Sequence, residues 1–139
     1  MKIDNSLLDT LSAQAKASSR LRMNYDLRNS ENDQSQRMLN AIEPGSDIPI
    51  HRHQNSSETG VVVRGKIEEV FFDATGRVTD SIKLDPEGPC FAINVPKGQW
   101  HTLHSLESGT VIMEVKDGPY EPMKPEDILS YLINNKNNY

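Results

Sequence analysis

Residues 45–65 read GSDIPIHRHQNSSETGVVVRG and contain the pattern from which the fold can be inferred. His51 and His53 are one residue apart, and Glu58 follows after four intervening residues. Alternate residues of a β-strand project to the same face of the sheet. If residues 48–53 form a strand, both imidazoles point to the same side and can bind one ion.

Glu58 is predicted to lie beside these two imidazoles. It begins the run 58–64, whose valines favour a β-strand. The intervening residues 54–57 are polar and suit a turn. A hairpin formed by 48–53 and 58–64 would bring the carboxylate next to the histidines.

A third imidazole is expected from a distant segment. The turn signal Pro96-Lys97-Gly98 redirects the chain shortly before His101. His104 has the opposite strand parity to His101 and is predicted to lie on the surface. Imidazole and carboxylate ligands suit one divalent ion of Fe, Mn, Ni, Co or Zn rather than calcium. On a five- or six-coordinate ion, this set leaves positions open. The predicted metal ligands are therefore His51, His53, Glu58 and His101.

These spacings resemble the two signature motifs of the cupin superfamily. The first motif matches at each of its fixed positions between Gly45 and Gly65. The second departs from the usual pattern, because Gly88 lies further from Pro96 and Ser105 stands where asparagine is usual, although His101 is in place. The resemblance implies an all-β fold, a cupin-type jelly-roll β-barrel with the four predicted ligands in its mouth.

Residues 20–122 are also similar to the WbuC family of cupin-fold metalloproteins. The similarity is carried by Arg-x-Asn-Tyr at 22–25 and His-Arg-His-Gln at 51–54. That family is associated with bacterial surface-polysaccharide (O-antigen) gene clusters. The resemblance implies a metal-binding cupin that binds or acts on a small anionic or carbohydrate-like metabolite.

Three functional alternatives stay open, and no catalytic residue is predicted. The chain could be a metal-dependent enzyme, as an isomerase or epimerase, a hydrolase or an oxygenase. It could instead be a non-catalytic module that binds a sugar or metabolite. A third alternative is a cupin whose metal is purely structural.

Residues that recognise a ligand are expected on the first strand. Arg20, Arg22 and Asn24 alternate with apolar residues, so they share one face. If this face looks into the barrel, it would bind an anion or sugar hydroxyls, since arginine suits bidentate contacts with carboxylate and phosphate. The alternative is an edge strand whose polar face lies in water. Gln54 is predicted to contact the ring of a metal-binding histidine and so help to fix its orientation. Arg64 is a weaker candidate for the ligand site, because it shares the strand parity of Glu58 if no bulge intervenes.

The remaining pattern predicts a single cupin domain, residues 1–139, with the barrel at about 20–116. Short runs recur at about ten-residue spacing and favour an all-β fold. These runs are 20–27, 37–42, 48–53, 60–64, 66–72, 78–84, 90–95, 100–106 and 110–115. Hairpin turns are predicted at 73–76 and 107–109.

Short helices are predicted at both ends of the barrel. Residues 5–17 place leucines on one helical stripe, with Asn5 or Ser6 as the cap. Residues 125–134 begin with proline and acids, which suits a second helix. The asparagine-rich segment 134–138 is predicted to fray.

Composition restricts the expected partners. The 139 residues have a formal net charge of −5, which argues against a nucleic-acid partner. No run of about 18 apolar residues is present, and the N-terminus lacks the apolar core of a signal peptide. We therefore expect a cytoplasmic protein with a small-molecule ligand and no membrane partner. Cupins commonly dimerise, so a homodimer extended through the N-terminal strand is also open.

Overall fold

Two antiparallel sheets form the body of the protein in the computed structural model, which describes residues 1–136. The five-stranded sheet has the order β1-β2-β8-β3-β6, and the three-stranded sheet has the order β5-β4-β7. The strands are β1 Arg22–Asp26, β2 Ser35–Ile42, β3 Glu58–Arg64, β4 Ile67–Phe72, β5 Val78–Leu84, β6 Ala92–Val95, β7 Trp100–Ser105 and β8 Thr110–Asp117. This architecture confirms the predicted all-β, cupin-type barrel.

The predicted strand 48–53 is wrong. In this segment only His51 forms β-bridges, one with His101 and one with Ile128. Pro49 has no backbone N–H, and the donors of His51 and Arg52 are taken by different segments, at His101 and Asp127. The segment therefore lies between β7 and the C-terminal segment around Ile128 without forming a regular strand. It does not form the predicted hairpin with β3.

The first helix, α1, spans Asn5–Ala17 as predicted. Its cap is Asp4 rather than Asn5 or Ser6, since the Asp4 carboxylate accepts a hydrogen bond from Leu7 N at 3.1 Å. Leucines of α1 pack against the outer face of the five-stranded sheet. This outer core comprises Leu8, Leu11, Ala15, Leu39, Ala41 and Val111. The helix thus covers one side of the sheet and leaves the inner side to form the barrel interior.

A second core fills the closed end of the space between the two sheets. The five-stranded sheet contributes Ile42, Val62 and Ile112, and the three-stranded sheet contributes Ile67, Leu84 and Leu103. Further along the same inward faces, the residues become polar. The fold therefore has an apolar floor and a polar mouth.

The two predicted hairpin turns have different outcomes. Residues 73–76 connect β4 and β5, with the Asp73 N–H donating to Arg77 O and Gly76 at a φ of 89°. Residues 107–109 instead connect β7 to β8, which belong to different sheets. That turn is a crossover between sheets and not a hairpin.

The C-terminal segment forms a 3-10 turn, Pro125–Asp127, followed by helix α2, Leu129–Lys136. The predicted helix 125–134 is thus divided into two pieces at Ile128, which bridges to His51. Of the segment predicted to fray, Asn134 and Asn135 lie in α2, whereas residues 137 and 138 are outside the described residues. Within residues 1–136, no helix is both long and apolar enough to cross a membrane.

Candidate metal centre

The three histidines of the predicted site meet at the polar mouth of the barrel. Their nearest ring nitrogens all lie within 4.8 Å of one another. Two mutual backbone hydrogen bonds hold His51 against His101, with N–O distances of 3.0 and 2.9 Å. His53 follows in the same extended segment, with its ring 5.1 Å from that of His51 between centroids. These residues are placed together by a pairing between segments 50 positions apart in the chain.

Glu58 completes the cluster from the start of β3. Its Oε2 lies 3.1 Å from His53 Nε2 and 3.7 Å from His101 Nε2. The position depends on pairing of β3 with β6 and β8, where Glu58 lies opposite Val95 and Lys116. The predicted proximity is therefore present, although a different strand pairing produces it.

Two atoms of this cluster lack the partners that buried polar atoms normally have. His53 Nε2 and Glu58 Oε2 are both buried, and neither makes a hydrogen bond of acceptable geometry. Such atoms are rare in folded proteins and commonly indicate an ion or water. A divalent metal ion would satisfy both atoms. The donor set of three imidazoles and one carboxylate therefore fits such an ion.

Backbone carbonyls fix the orientation of two rings. His51 Nδ1 lies 2.8 Å from Pro49 O, and His101 Nδ1 lies 2.9 Å from Gln99 O. These bonds place the proton on Nδ1 and leave Nε2 free to bind an ion. Gln54, predicted to support an imidazole, donates from its amide to Asp127 Oδ1 at 2.6 Å.

Protonation of the cluster follows from burial and from its single carboxylate. Burial lowers the pKa of His51 to about 3, and His101 adds to this effect, so His51 is neutral. Burial also opposes charge on His101, but Glu58 raises the pKa of that imidazole. Burial would raise the pKa of Glu58, yet His101 and His53 hold it well below its usual value. A neutral imidazole and an ionised carboxylate are the forms that bind metals.

A cavity of about 760 Å³ opens above the cluster. Arg20, Arg22 and Asn24 line it, with Arg22 half-buried and with Arg20 and Asn24 exposed to solvent at its rim. The Arg22 guanidinium donates to Ser46 Oγ and Asp47 O, at 3.2 and 3.1 Å. Arg64 is elsewhere, because a bulge after Val62 turns it to the outer face, where it bonds Asp9 and Ser12 of α1.

Several polar residues of the interior were not singled out from the sequence. Asn40, Glu114 and Lys116 line the cavity, and Glu69 is buried on the inner face of β4. Burial raises the pKa of Glu69 to about 8 and that of Glu114 to about 7. Their strand parity was available in the sequence. The sequence did not reveal the register of β2, β8 and β3, which brings Lys116 opposite Glu58.

Solved structures with this architecture include several proteins of low sequence identity. The cupin domain of Schizosaccharomyces pombe Cnp3 is 13% identical, with a TM-score of 0.55 over 84% of this chain and 70% of that chain. Staphylococcus aureus CapF, a capsular polysaccharide assembling protein, is 19% identical, with a TM-score of 0.61 over 71% of this chain. This chain spans only 27% of the CapF chain.

A third similar structure is Bacillus subtilis oxalate decarboxylase, described for its Mn(II) centres. It is 17% identical, with a TM-score of 0.55 over 73% of this chain and 26% of that chain. At these identities the similarity establishes the cupin fold. Comparison with curated proteins gave no match. One family matches residues 3–84, more than half of the chain. The chain therefore belongs to the family described as Domain of unknown function (DUF6016), and its fold is that of the cupin superfamily.

Proposed function

We propose that this protein is a metal-binding cupin that takes up a small anionic or carbohydrate-like metabolite in its barrel mouth. The observation that carries the proposal is the pair of buried, unpartnered atoms His53 Nε2 and Glu58 Oε2, which face each other within the three-histidine cluster. Burying such atoms without partners is costly, and an ion removes that cost. His51, His53, Glu58 and His101 would hold one divalent transition ion.

The cavity supports ligand binding in addition to metal binding. It is of the size that small-molecule sites usually have, and it combines polar groups with apolar ones. A bound divalent ion would act there as a Lewis acid toward an oxygen of the ligand. Arg20, Arg22 and Asn24 would contribute donors for an anionic or hydroxylated group. The similar oxalate decarboxylase is described as having Mn(II) centres, and manganese is one of the ions proposed for this site.

We further propose that the metabolite belongs to the synthesis of bacterial surface polysaccharide. This link is supported by the resemblance to the WbuC family and by the similar fold of CapF, whose description names capsular polysaccharide assembly. A nucleotide sugar or a sugar acid from such a route would match the anionic or carbohydrate-like class. The reaction class stays open between isomerisation, hydrolysis and oxygen chemistry.

Metal stoichiometry tests the ligand assignment directly. We expect wild-type protein loaded with Co²⁺ and dialysed to retain one ion per chain, measured by plasma mass spectrometry. His51→Ala, His53→Ala and His101→Ala should each lower retention by at least about tenfold, since each removes a bond to the ion.

His104→Ala is the matched control, because His104 is exposed on the same strand as His101. Its cobalt content should equal that of wild type. An equal loss from all four variants would show that the ligand assignment is wrong. Full retention by the three cluster variants would refute metal binding at this site.

A further inference from the structure

The inner faces of β2 and β8 form a polar wall beside the three-histidine cluster. Gln36 lies opposite Lys116 in the register, and Met38 lies opposite Glu114. In the other direction, Lys116 lies opposite Glu58 on β3. The next inward row holds Asn40, opposite Ile112. The wall thus begins at the cluster and ends at the apolar floor.

The charged groups of this wall are buried and only loosely paired. Lys116 Nζ lies 3.9 Å from Glu58 Oε2 and 4.0 Å from Glu114 Oε2, and their side chains are 13%, 9% and 8% exposed. A charge-assisted hydrogen bond is shorter, at about 2.9 Å. An ion held by Glu58 would leave Lys116 and Glu114 facing each other across this longer gap. The Asn40 side chain also hydrogen-bonds the Glu114 carboxyl, whereas the Lys116 ammonium keeps donors available toward the cavity.

Asn40 supplies an independent indication of a missing partner. The residue is 9% exposed and lines the cavity, and its Oδ1 is buried without a hydrogen bond. An amide oxygen only accepts hydrogen bonds, so its partner must bring an O–H or N–H group. A solvent-excluded acceptor without such a group is unfavourable.

Together, these three side chains favour a ligand that both donates and accepts hydrogen bonds. Asn40 Oδ1 accepts, the Lys116 ammonium donates, and the Glu114 carboxyl group accepts when ionised and can also donate when protonated. Neighbouring hydroxyl groups do both at once, because each O–H donates and each oxygen accepts. A fully ionised phosphate ester or a plain carboxylate offers acceptors alone, which suit Lys116 but leave Asn40 without a donor.

We propose that Asn40, Glu114 and Lys116 form a hydroxyl-binding subsite, so the ligand of this cavity is a polyhydroxylated acid such as a sugar acid. The inference rests on the proposed metal site, because the acid group of the ligand would be bound by the ion while the hydroxyls contact the wall. It adds a recognition element on β2 and β8 to the β1 residues expected from the sequence.

The test compares two ring acids that differ in their hydroxyl groups. Isothermal titration calorimetry of the Co²⁺-loaded protein would use D-glucuronate and tetrahydropyran-2-carboxylate, which has the same ring and acid but no hydroxyls. We expect wild type to bind glucuronate at least about tenfold more tightly. Asn40→Leu and Glu114→Gln should each weaken glucuronate binding about tenfold and leave the second acid unchanged.

Glu68→Gln is the control, because Glu68 lies on the opposite face of β4 from the interior and does not line the cavity. It should bind both acids like wild type. Cobalt content and thermal unfolding check that each variant is folded, and Glu114→Gln preserves side-chain shape if Asn40→Leu does not fold.

The outcomes separate the two proposals. Equal affinity of wild type for both acids, or equal weakening of both acids by the variants, overturns the hydroxyl subsite while the metal site stands. Absence of binding by either acid to protein that retains its cobalt overturns the subsite and the anionic-ligand part of the proposed function. Failure to retain cobalt overturns the metal site itself.

Discussion

At the scale of single residues, the interior contains a carboxylic acid whose charge the fold opposes. Glu69 is 2% exposed and lies in register with Ile82 and Leu103. Its pKa is raised from 4.5 to about 8, mainly by burial; His101 opposes the shift, and Glu58 and Glu114 contribute to it. In the folded chain Glu69 is therefore protonated at neutral pH, whereas in the unfolded chain it is ionised.

This difference predicts that Glu69→Gln raises the free energy of unfolding of the metal-free protein in a pH-dependent way. Below about pH 4.5 both states hold the proton, so the residue has little effect. As pH rises toward 8 only the unfolded state ionises, which lowers the free energy of unfolding by up to about 3 kcal/mol at pH 7. Glu69→Gln removes this cost, so urea denaturation should show higher stability at pH 7 and little change at pH 4.5.

Glu68→Gln on the other face of the same strand serves as the comparison and should lack this pH-dependent gain. A Glu69→Gln protein destabilised equally at both pH values would indicate that the carboxyl group makes a structural hydrogen bond that the amide does not replace.

At the scale of elements, the histidine segment depends on the C-terminal 3-10 turn for its position. Asp127 Oδ1 accepts from Arg52 Nε at 3.2 Å and from Gln54 Nε2 at 2.6 Å, so it holds the residues on both sides of His53. The Arg52 guanidinium also stacks over Trp100, 4.5 Å from the ring centroid. These contacts replace the ladder of hydrogen bonds that a regular strand would have supplied.

Asp127→Ala is therefore expected to lower stability and to weaken metal binding. Loss of a buried carboxylate that satisfies two donors costs about 1–3 kcal/mol in urea denaturation. Less fixed positioning of His53 should weaken Co²⁺ affinity at least about tenfold in competition with a chelator. Glu126→Ala removes an exposed neighbouring carboxyl and should change neither quantity. Unchanged metal affinity in Asp127→Ala would show that His53 is positioned without this contact.

At the scale of the whole molecule, folding does not depend on the metal alone. One apolar core lies between α1 and the five-stranded sheet, and another lies between the sheets. Both lie apart from the barrel mouth. A bound ion should consequently stabilise a fold that already exists, and should not create it.

Metal addition and removal test this expectation. Co²⁺ at about 100 times its dissociation constant should add about 2.7 kcal/mol to the free energy of unfolding. The melting temperature, followed by circular dichroism, should rise by several degrees. Removal of the ion with EDTA should reverse the shift and leave the β-sheet spectrum intact. Loss of that spectrum on chelation would instead support the alternative of a purely structural metal.

The sequence by itself determined the identity of the four clustered residues, the strand parity that separates His101 from His104, and the helix over 5–17. These are local properties, because they depend on residue type and on the repeat of a strand or helix. Tertiary structure alone decided that 48–53 forms a bridged segment, that a bulge turns Arg64 outward, and that Asn40, Glu114 and Lys116 form one wall. Those features depend on the register between strands distant in the chain, and many alternative pairings are compatible with the same local pattern.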